Sequence, residues 1–344
     1  MVDPGAAAGM TRVSVSKVGV MGCDAQPTGY PDAMKAVLPA LARPLLEPKL
    51  PGALDVHWFT HRDDALEHIP TADIGWVDMQ QPGWTGEVAA AGAKLKWLST
   101  IYAGVDAFDT RLLKSRGTIL TNGAGINAYA VAEYAVLGIL AAAKRYDQVV
   151  RMADRREWSI AAPGQIELFE TRALVIGYGS IGRLIGERLA AFGVDVTGVT
   201  RSGRDGTLTP DQWRARIGDH DWIVLAAPST GDTHAMIGAA ELAAMKPTAW
   251  LVNVARGDMV DQDALIDALE KRRIAGAFLD TVTPEPLPAD HPLWTAPNTL
   301  HSMHLSGRSQ TRMFQRAATL FLDNLDAFLN DRPMRNIVDF DAGY

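Results

Sequence analysis

Residues 173–182 read Ala-Leu-Val-Ile-Gly-Tyr-Gly-Ser-Ile-Gly, and an amphipathic run over 181–192 follows directly. The apolar residues are typical of a buried parallel strand, and Gly177, Gly179 and Gly182 have the spacing G-x-G-x-x-G at the start of a helix. Gly177 allows a sharp turn, Gly179 lets a pyrophosphate approach the backbone, and Gly182 lets helix and strand pack closely. The free amides and the helix dipole favour an anion there, so the pattern predicts a dinucleotide-binding strand, turn and helix.

Apolar runs on both sides of this motif predict two parallel sheets. From the motif onward, strands are predicted at 173–177, 194–200, 222–226, 249–254, 275–279 and 299–303. Before it, strands predicted at 18–21, 54–59, 74–77 and 95–99 alternate with helical patterns at 32–42, 62–69 and 85–93. A buried helix is expected over 130–145, an exposed connection over 152–165, and a last amphipathic helix over 310–330 that packs back onto the first sheet. This alternation indicates an α/β protein with two doubly wound sheets.

Composition narrows the classes of function. A chain of 344 residues exceeds what one core usually supports, which favours two domains, and a net charge of −7 gives no reason to expect nucleic acid or an anionic membrane as partner. The single cysteine, Cys23, excludes an internal disulfide and a cysteine-based zinc site, and it fits a reducing cytoplasm. The start of the chain has no signal-peptide pattern, and the longest apolar run, 135–143, is too short to span a bilayer. We therefore expect a cytoplasmic protein without a metal site.

The turn after the second strand of the motif's sheet carries information about the nucleotide. NAD-binding sheets place an acid there for the ribose hydroxyls, whereas this chain has Thr200, Arg201, Ser202 and Arg204. Two guanidiniums and two hydroxyls suit a 2′-phosphate, which favours NADP(H) over NAD(H). The alternative is a solvated basic turn in which Asp205 turns in to serve the ribose.

Small residues follow the predicted strand at 95–99. Tyr102, Ala103 and Gly104 precede Val105-Asp106. At the carboxyl end of a parallel strand such residues leave backbone amides open to a ligand, although a plain strand-to-helix turn explains them equally well.

Several motifs in one order resemble the D-isomer-specific 2-hydroxyacid dehydrogenase family. They are the glycine motif together with 103–106, 131–134, Pro228 with Thr233, 253–257, 279–280, 285–287, His304 and 324–325. The resemblance implies a homodimer with its active site between two domains. A flavodoxin-like substrate domain, 1–123 completed by 305–344, would hold an inserted Rossmann cofactor domain, 124–304. Residues 336–339 and 343–344 also look like those of glyoxylate and hydroxypyruvate reductases.

The resemblance assigns a catalytic set to Arg256, Glu285 and His304. Arg256 would bind the substrate carboxylate and polarise the keto oxygen, and His304 would exchange a proton with that oxygen. Glu285 would orient the imidazole and favour its charged form. Taken singly, each residue also fits a structural role, namely a capping turn, a loop carboxylate and a core histidine. His301 is expected to face away, because an extended chain puts residues three apart on opposite sides.

The resemblance also implies the ligand contacts. The substrate carboxylate would meet the amides of Ala103 and Gly104 with Tyr102 beside them. Cofactor contacts are expected at Gly177, Gly179, Ser180, Ile181, Gly182, Thr200, Arg201, Ser202, Arg204, Ala227, Pro228, Thr233, Val254, Ala255 and Asp280. Met303 stands where the family usually has a proline before the histidine, so the loop that holds His304 is expected to change.

The sequence thus predicts NADP(H)-dependent reduction of a small 2-keto acid to the D-2-hydroxy acid, with glyoxylate, hydroxypyruvate and bulkier keto acids all possible. One alternative is an NAD-linked member of the family that acts on another small anion such as formate or phosphite. Another is a dinucleotide-sensing binding protein without turnover.

Overall fold

The computed structural model describes residues 34–79, 81–308 and 310–341. The strand predicted at 18–21, Cys23 and residues 343–344 lie outside these ranges. The described strands are β1 Lys35–Pro39, β2 Asp55–Phe59, β3 Ile74–Trp76, β4 Trp97–Ser99, β5 Ile119–Thr121, β6 Arg172–Ile176, β7 Asp195–Val199, β8 Trp222–Leu225, β9 Trp250–Asn253, β10 Gly276–Leu279 and β11 Thr299–His301.

Helices connect most of these strands. They are α1 Arg43–Leu46, α2 Arg62–His68, α3 Pro82–Ala91, α4 Thr110–Arg116, α5 Ala128–Lys144, α6 Tyr146–Asp154, α7 Ser180–Ala191, α8 Pro210–Trp213, α9 Ala239–Ala244, α10 Gln262–Glu270 and α11 Met313–Leu329. Short 3₁₀ turns occupy Ala40–Ala42, Glu47–Lys49, Ile69–Thr71, Arg204–Gly206, Arg214–Asp219, Gly257–Met259, Pro292–Trp294 and Ser306–Arg308. None of the described helices is long and apolar enough to cross a bilayer.

The first sheet has five parallel strands in the order β2-β1-β3-β4-β5. This is the flavodoxin-like order, in which the winding direction changes between β1 and β3. The helix predicted over 32–42 is wrong, because this segment contains β1. Ala36, Val37 and Leu38 are fully buried between two neighbouring strands, and a strand with no solvent face lacks the alternation that separates it from a buried helix.

The second sheet has six parallel strands in the order β11-β10-β9-β8-β6-β7. All six were predicted, and the two-sheet α/β class is confirmed. The winding direction changes between β6 and β8, so the loops that follow these two strands border a crevice at the carboxyl edge of the sheet. Every predicted catalytic or cofactor residue of this sheet follows or lies near the carboxyl end of a strand.

The packing of the last helix joins the two ends of the described chain. Phe321 of α11 is buried and stacks on Trp97 of β4 and Trp76 of β3, with ring centroids 4.9 and 5.5 Å apart. The prediction that the last helix returns to the first sheet is therefore confirmed. The domain boundaries at 123/124 and 304/305 stay a prediction.

Candidate active site

The glycine turn after β6 has the geometry that its spacing predicts. Gly177 has φ +97°, and a Cβ on it would lie 2.3 Å from the backbone nitrogen of Ala227. A Cβ on Gly182 would lie 2.2 Å from the carbonyl oxygen of Gly177, so helix α7 packs directly on the turn. A Cβ on Gly179 would meet no atom within 4 Å. The turn is therefore tight on its protein side and open on the side where a pyrophosphate would approach, which fits a dinucleotide held by the amides at the start of α7.

The basic turn after β7 keeps its predicted residues together on the surface. Thr200 is partly buried and its hydroxyl is hydrogen-bonded to that of Thr207 at 2.7 Å, whereas Arg201, Ser202 and Arg204 are exposed. Asp205, the acid that the alternative interpretation assigns to the ribose, is instead paired with Arg183 at 2.8 Å.

Backbone contacts tie together the loops after β8 and β9. The hydroxyl of Thr233 donates to the carbonyl of Pro228 at 2.8 Å, and the amide of Val254 donates to the carbonyl of Leu225 at 3.2 Å. The Asn253 side chain brackets the next turn, since its oxygen accepts from the amide of Ala255 at 3.0 Å. These bonds give the predicted cofactor residues on this edge a fixed backbone.

Arg256 extends from the β9 loop to the loop that follows β4. Its Nη1 donates to the carbonyl of Ala255 at 2.9 Å, and its Nη2 lies 3.6 Å from a carboxylate oxygen of Asp106. A Cβ on Gly104 would lie only 2.2 Å from the same Nη2. The structure therefore brings the predicted carboxylate-binding guanidinium against the predicted carboxylate-binding loop, and Gly104 is the residue that leaves room for it.

The loop that contains Ala103 is held from its carbonyl side. The Asn122 side chain donates to the carbonyl of Ala103 at 2.9 Å, and the amide of Gly123 donates to the carbonyl of Tyr102 at 2.8 Å. Within the described part of the chain, the amides of Ala103 and Gly104 donate to no protein acceptor. The loop that carries these two amides thus lies against the Arg256 guanidinium at Gly104, an arrangement suited to a carboxylate.

Glu285 and His304 form a short hydrogen bond, with Oε2 and Nδ1 separated by 2.6 Å. Burial would raise the pKa of Glu285, but the hydrogen bond and charge of His304, the Val282 amide and the charge of Arg256 together hold this pKa below its ordinary value. The carboxylate is therefore ionised at neutral pH. Since Arg256 acts on the same carboxylate, the three predicted catalytic side chains belong to one electrostatic cluster.

Asp280 holds the His304 loop in an uncommon backbone conformation. Met303 and His304 have φ +53° and +55°, and a proline, whose φ is fixed near −65°, could not adopt the conformation of Met303. The side-chain carboxylate of Asp280 accepts from the hydroxyls of Ser302 at 2.7 Å and Ser306 at 2.5 Å. The backbone carbonyl of Asp280 accepts from the amide of His304 at 2.6 Å. Asp280 was predicted only as a cofactor contact, and this clasp is an additional role.

His301 lies apart from this cluster, as predicted, but the reason differs. Its Nε2 lies 3.0 Å from the carbonyl of Leu293, and its ring packs against Trp294. The chain does not stay extended to His304, because β11 ends at His301 and the backbone turns. Alternation along a strand therefore does not explain the separation.

The sequence did not predict that the side chains of Asn122, Asn253 and Asp280 hold nearby loops through hydrogen bonds. Asn253 is the last residue of β9, and Asn122 and Asp280 directly follow β5 and β10, so each stands at the carboxyl edge of its sheet. A lone polar residue at such a position was the available signal, because its side chain is free to satisfy the loop that starts there.

One group in the described chain has metal-ligand side chains within reach of each other. Nε2 of His57 lies 2.6 Å and Nδ1 of His68 lies 3.5 Å from Oδ1 of Asp64. The two rings are stacked at 3.5 Å with a 6° angle between their planes. A metal–nitrogen bond to imidazole lies in the ring plane, because the nitrogen lone pair does. An ion midway between the two rings would lie about 1.7 Å out of each ring plane, which is too far for an in-plane bond of roughly 2.1 Å. The arrangement is that of a hydrogen bond between His57 and Asp64 with the His68 ring stacked on His57. The absence of a metal site stays a prediction.

Comparison with known proteins adds independent information. The family model described as D-isomer specific 2-hydroxyacid dehydrogenase, NAD binding domain, matches residues 136–306. Glyoxylate/hydroxypyruvate reductase B of Pectobacterium atrosepticum is 31% identical over 256 residues, which cover 72% of this chain and 79% of the relative.

Solved structures show the same architecture. A D-isomer specific 2-hydroxyacid dehydrogenase family protein from Aeromonas salmonicida superposes with a TM-score of 0.80 at 29% identity, over 90% of this chain and all of that one. The NAD-dependent formate dehydrogenase of Staphylococcus aureus, in complex with NAD, has a TM-score of 0.71 at 25% identity, over 89% of this chain and 99% of that one.

These matches agree with the two-sheet fold and the glycine turn, and they confirm the predicted oxidoreductase class and nicotinamide dinucleotide. The chain belongs to the D-isomer specific 2-hydroxyacid dehydrogenase family, a family of NAD(P)-dependent oxidoreductases.

Proposed function

We propose that the protein reduces a small 2-keto acid to the D-2-hydroxy acid with NADPH, using Arg256, Glu285 and His304. The observation that carries this proposal is the 2.6 Å contact between His304 and Glu285, in a cluster whose third member, Arg256, lies against Gly104. An acid–base pair and a carboxylate-binding guanidinium are what reduction of a keto acid requires of the protein.

The roles of the side chains follow from their contacts. The substrate carboxylate would accept from the amides of Ala103 and Gly104 and from Arg256, which would also polarise the keto oxygen. His304 bonds to Glu285 through Nδ1, which leaves Nε2 to donate its proton to the keto oxygen. Bound NADPH supplies the hydride, and the glycine turn with the start of α7 would hold its pyrophosphate.

The preference for NADP(H) rests on the turn after β7. Arg201, Ser202 and Arg204 are exposed there, and Asp205 is committed to Arg183 at 2.8 Å. A 2′-phosphate would gain charge-assisted hydrogen bonds from the guanidiniums at this turn, which suit a phosphate better than a neutral ribose hydroxyl. These contacts support NADP(H) over NAD(H).

The substrate class rests on the carboxylate-binding groups and on the relatives. A carboxylate held by two amides and one guanidinium would leave an adjacent keto group for His304 to protonate, which suits 2-keto acids. The Pectobacterium relative is named after glyoxylate and hydroxypyruvate, so these two acids are the first candidate substrates.

We further propose a cytoplasmic homodimer. Trp158 and Ile160 are 96% and 101% exposed in the connection that follows α6, where single large apolar side chains would gain from a partner surface. The single cysteine is consistent with a reducing compartment.

The test is an absorbance assay at the nicotinamide band with glyoxylate, hydroxypyruvate, bulkier 2-keto acids, and formate and phosphite in the oxidative direction, each with both cofactors. Turnover of a keto acid that is faster with NADPH supports the proposal. Turnover of formate or phosphite with NAD would favour the NAD-linked alternative. Tight cofactor binding without any turnover would favour a dinucleotide sensor.

A further inference from the structure

Asp78 is a carboxylate that the proposed reaction does not use. It follows β3 by two residues, and both its oxygens face protein donors. Oδ1 accepts from the hydroxyl of Thr100 at 2.6 Å, and Oδ2 accepts from the amide of Ile101 at 2.6 Å and from Nε1 of Trp76 at 2.8 Å. Burial of this carboxylate raises its pKa to about 6, and the three hydrogen bonds oppose that rise only in part.

Two of the three donors belong to the segment that leads into the candidate substrate loop. Thr100 also accepts from the amide of Tyr102 at 3.2 Å, so a continuous set of bonds runs from Asp78 through Thr100 to Tyr102. Ala103 and Gly104 come next, and their amides are the proposed carboxylate donors. The segment is therefore fixed by Asp78 before the loop and by Asn122 at the carbonyl of Ala103.

The three hydrogen bonds to the carboxylate are what a substitution at Asp78 would remove. Three donors converge on one short side chain here, and without it the amide of Ile101 would lose its acceptor. A freed Ile101 amide would let the next residues shift relative to Arg256.

We propose that Asp78 is a positioning residue for the substrate: it fixes residues 100–102 so that the amides of Ala103 and Gly104 face the same point as the Arg256 guanidinium. This inference rests on the proposed function. Because the loop contacts substrate and the cofactor turn lies on the other sheet, loss of Asp78 raises KM for the keto acid and leaves cofactor affinity unchanged.

The decisive variants are Asp78→Ala and Asp78→Asn. Alanine removes all three acceptors, and we expect KM for the keto acid to rise at least about tenfold with a smaller change in kcat, since small misplacements of binding groups are costly. Asparagine can accept from Ile101 and Trp76 through its oxygen and donate to Thr100 through its nitrogen. We expect it to keep KM within about threefold of the wild type.

Thr100 provides a second pair of variants in case Asp78→Ala does not fold. Thr100→Val keeps the shape but removes the hydroxyl that bridges Asp78 and Tyr102, so KM should rise. Thr100→Ser keeps the hydroxyl and should restore KM. The dissociation constant for NADPH, measured by fluorescence, should be the same in all four variants.

Asp73 is the matched control, because it lies at the other end of β3 and accepts from the amide of Lys35 at 3.0 Å and from Lys96 at 2.9 Å. Asp73→Ala should lower stability without changing KM. An unchanged KM in Asp78→Ala and Thr100→Val, or an equal rise in Asp73→Ala, would overturn the inference. If the wild type turns over no keto acid, the proposed function fails first, and that result is separate from either outcome.

Discussion

At the scale of single residues, the candidate site depends on carboxylates whose surroundings differ. Asp280 clasps the loop of Met303 and His304, two residues with positive φ that cost roughly 1–3 kcal/mol each unless their surroundings hold them. Glu285 is kept ionised by His304. Asp78 is buried, which raises its pKa, and it accepts three hydrogen bonds that oppose this rise. Each carboxylate therefore fixes a neighbouring group: Asp280 the backbone at His304, Glu285 the His304 imidazole, and Asp78 residues 100 and 101.

Arg256→Ala should remove substrate binding and polarisation together. We expect kcat/KM to fall at least about 10²- to 10³-fold, the range seen when a preorganised donor to a developing oxyanion is lost. The NADPH dissociation constant should change little, because the guanidinium extends to Asp106 and Gly104 of the candidate substrate loop. A variant with wild-type kcat/KM would show that the assignment of Arg256 is wrong.

Glu285→Gln tests the acid–base pair through pH. The folded-state pKa of Glu285 is depressed below 4.5, so its ionised form contributes stability above pH 4.5 that is lost as pH falls through the lower folded value. Wild-type activity should accordingly persist down to that region while the protein stays folded. The glutamine variant lacks the charge at every pH, and we expect kcat to fall about 10- to 100-fold without an acid limb from this group.

The matched control for this experiment is Glu187→Gln, an exposed carboxylate on α7. Its pH–rate profile should coincide with that of the wild type. If Glu285→Gln retained full activity at neutral pH, Glu285 would not orient His304 for proton transfer.

At the scale of elements, the candidate site residues stand on loops, and the strands decide where those loops begin. The carboxyl ends of the six parallel strands β6 to β11 meet one edge, and the winding reversal between β6 and β8 opens the crevice there. The turn after β7 is the element that would distinguish the two nicotinamide cofactors under the proposed function.

Replacing both Arg201 and Arg204 with Ala should weaken NADPH far more than NADH. Each lost charge-assisted hydrogen bond is worth roughly 1.5–3 kcal/mol, so we expect at least about a tenfold rise in the NADPH constant relative to NADH. Arg216→Ala, an exposed arginine before β8 and hence at the opposite edge, is the control. Equal weakening of both cofactors would contradict the 2′-phosphate assignment.

At the scale of the whole molecule, the candidate site requires both sheets. Arg256 follows a strand of the second sheet and Gly104 a strand of the first, and the two residues leave no space for a Cβ between them. Helix α11 packs Phe321 on Trp97 and thereby supports the β4 strand whose loop carries Gly104. Stability of the first sheet and placement of the substrate loop are therefore linked through this helix.

Charging the exposed apolar connection should disrupt the proposed dimer. We expect the double variant Trp158→Glu, Ile160→Asp to have half the wild-type mass by light scattering after size exclusion, because charges in an apolar interface are costly to desolvate. Leu41→Asp, at a residue 69% exposed beside β1, should leave the mass unchanged. A wild type that is monomeric at micromolar concentration would refute the dimer.

Local pattern sufficed where a residue's role follows from its neighbours in the chain. The glycine spacing determined the turn at Gly177, and the apolar runs determined all six strands of the second sheet, because turn geometry and burial on both faces constrain nearby residues. Pattern failed for β1, because residues 32–42 are rich in Ala, Met, Lys and Leu, which favour a helix, and β5 was not predicted as a strand.

The tertiary structure alone decided which distant groups meet. That Arg256 reaches Gly104, that Asp280 clasps the His304 loop, and that Asp78 fixes the segment before Ala103 depend on how strands far apart in the chain lie side by side. Hydrogen bonds act over about 3 Å. The separation of two residues along the chain does not show whether they come this close when they belong to different elements. The amino-acid sequence by itself therefore determined the oxidoreductase class and the two sheets, and the packing of those sheets decided which side chains hold the proposed catalytic ones in place.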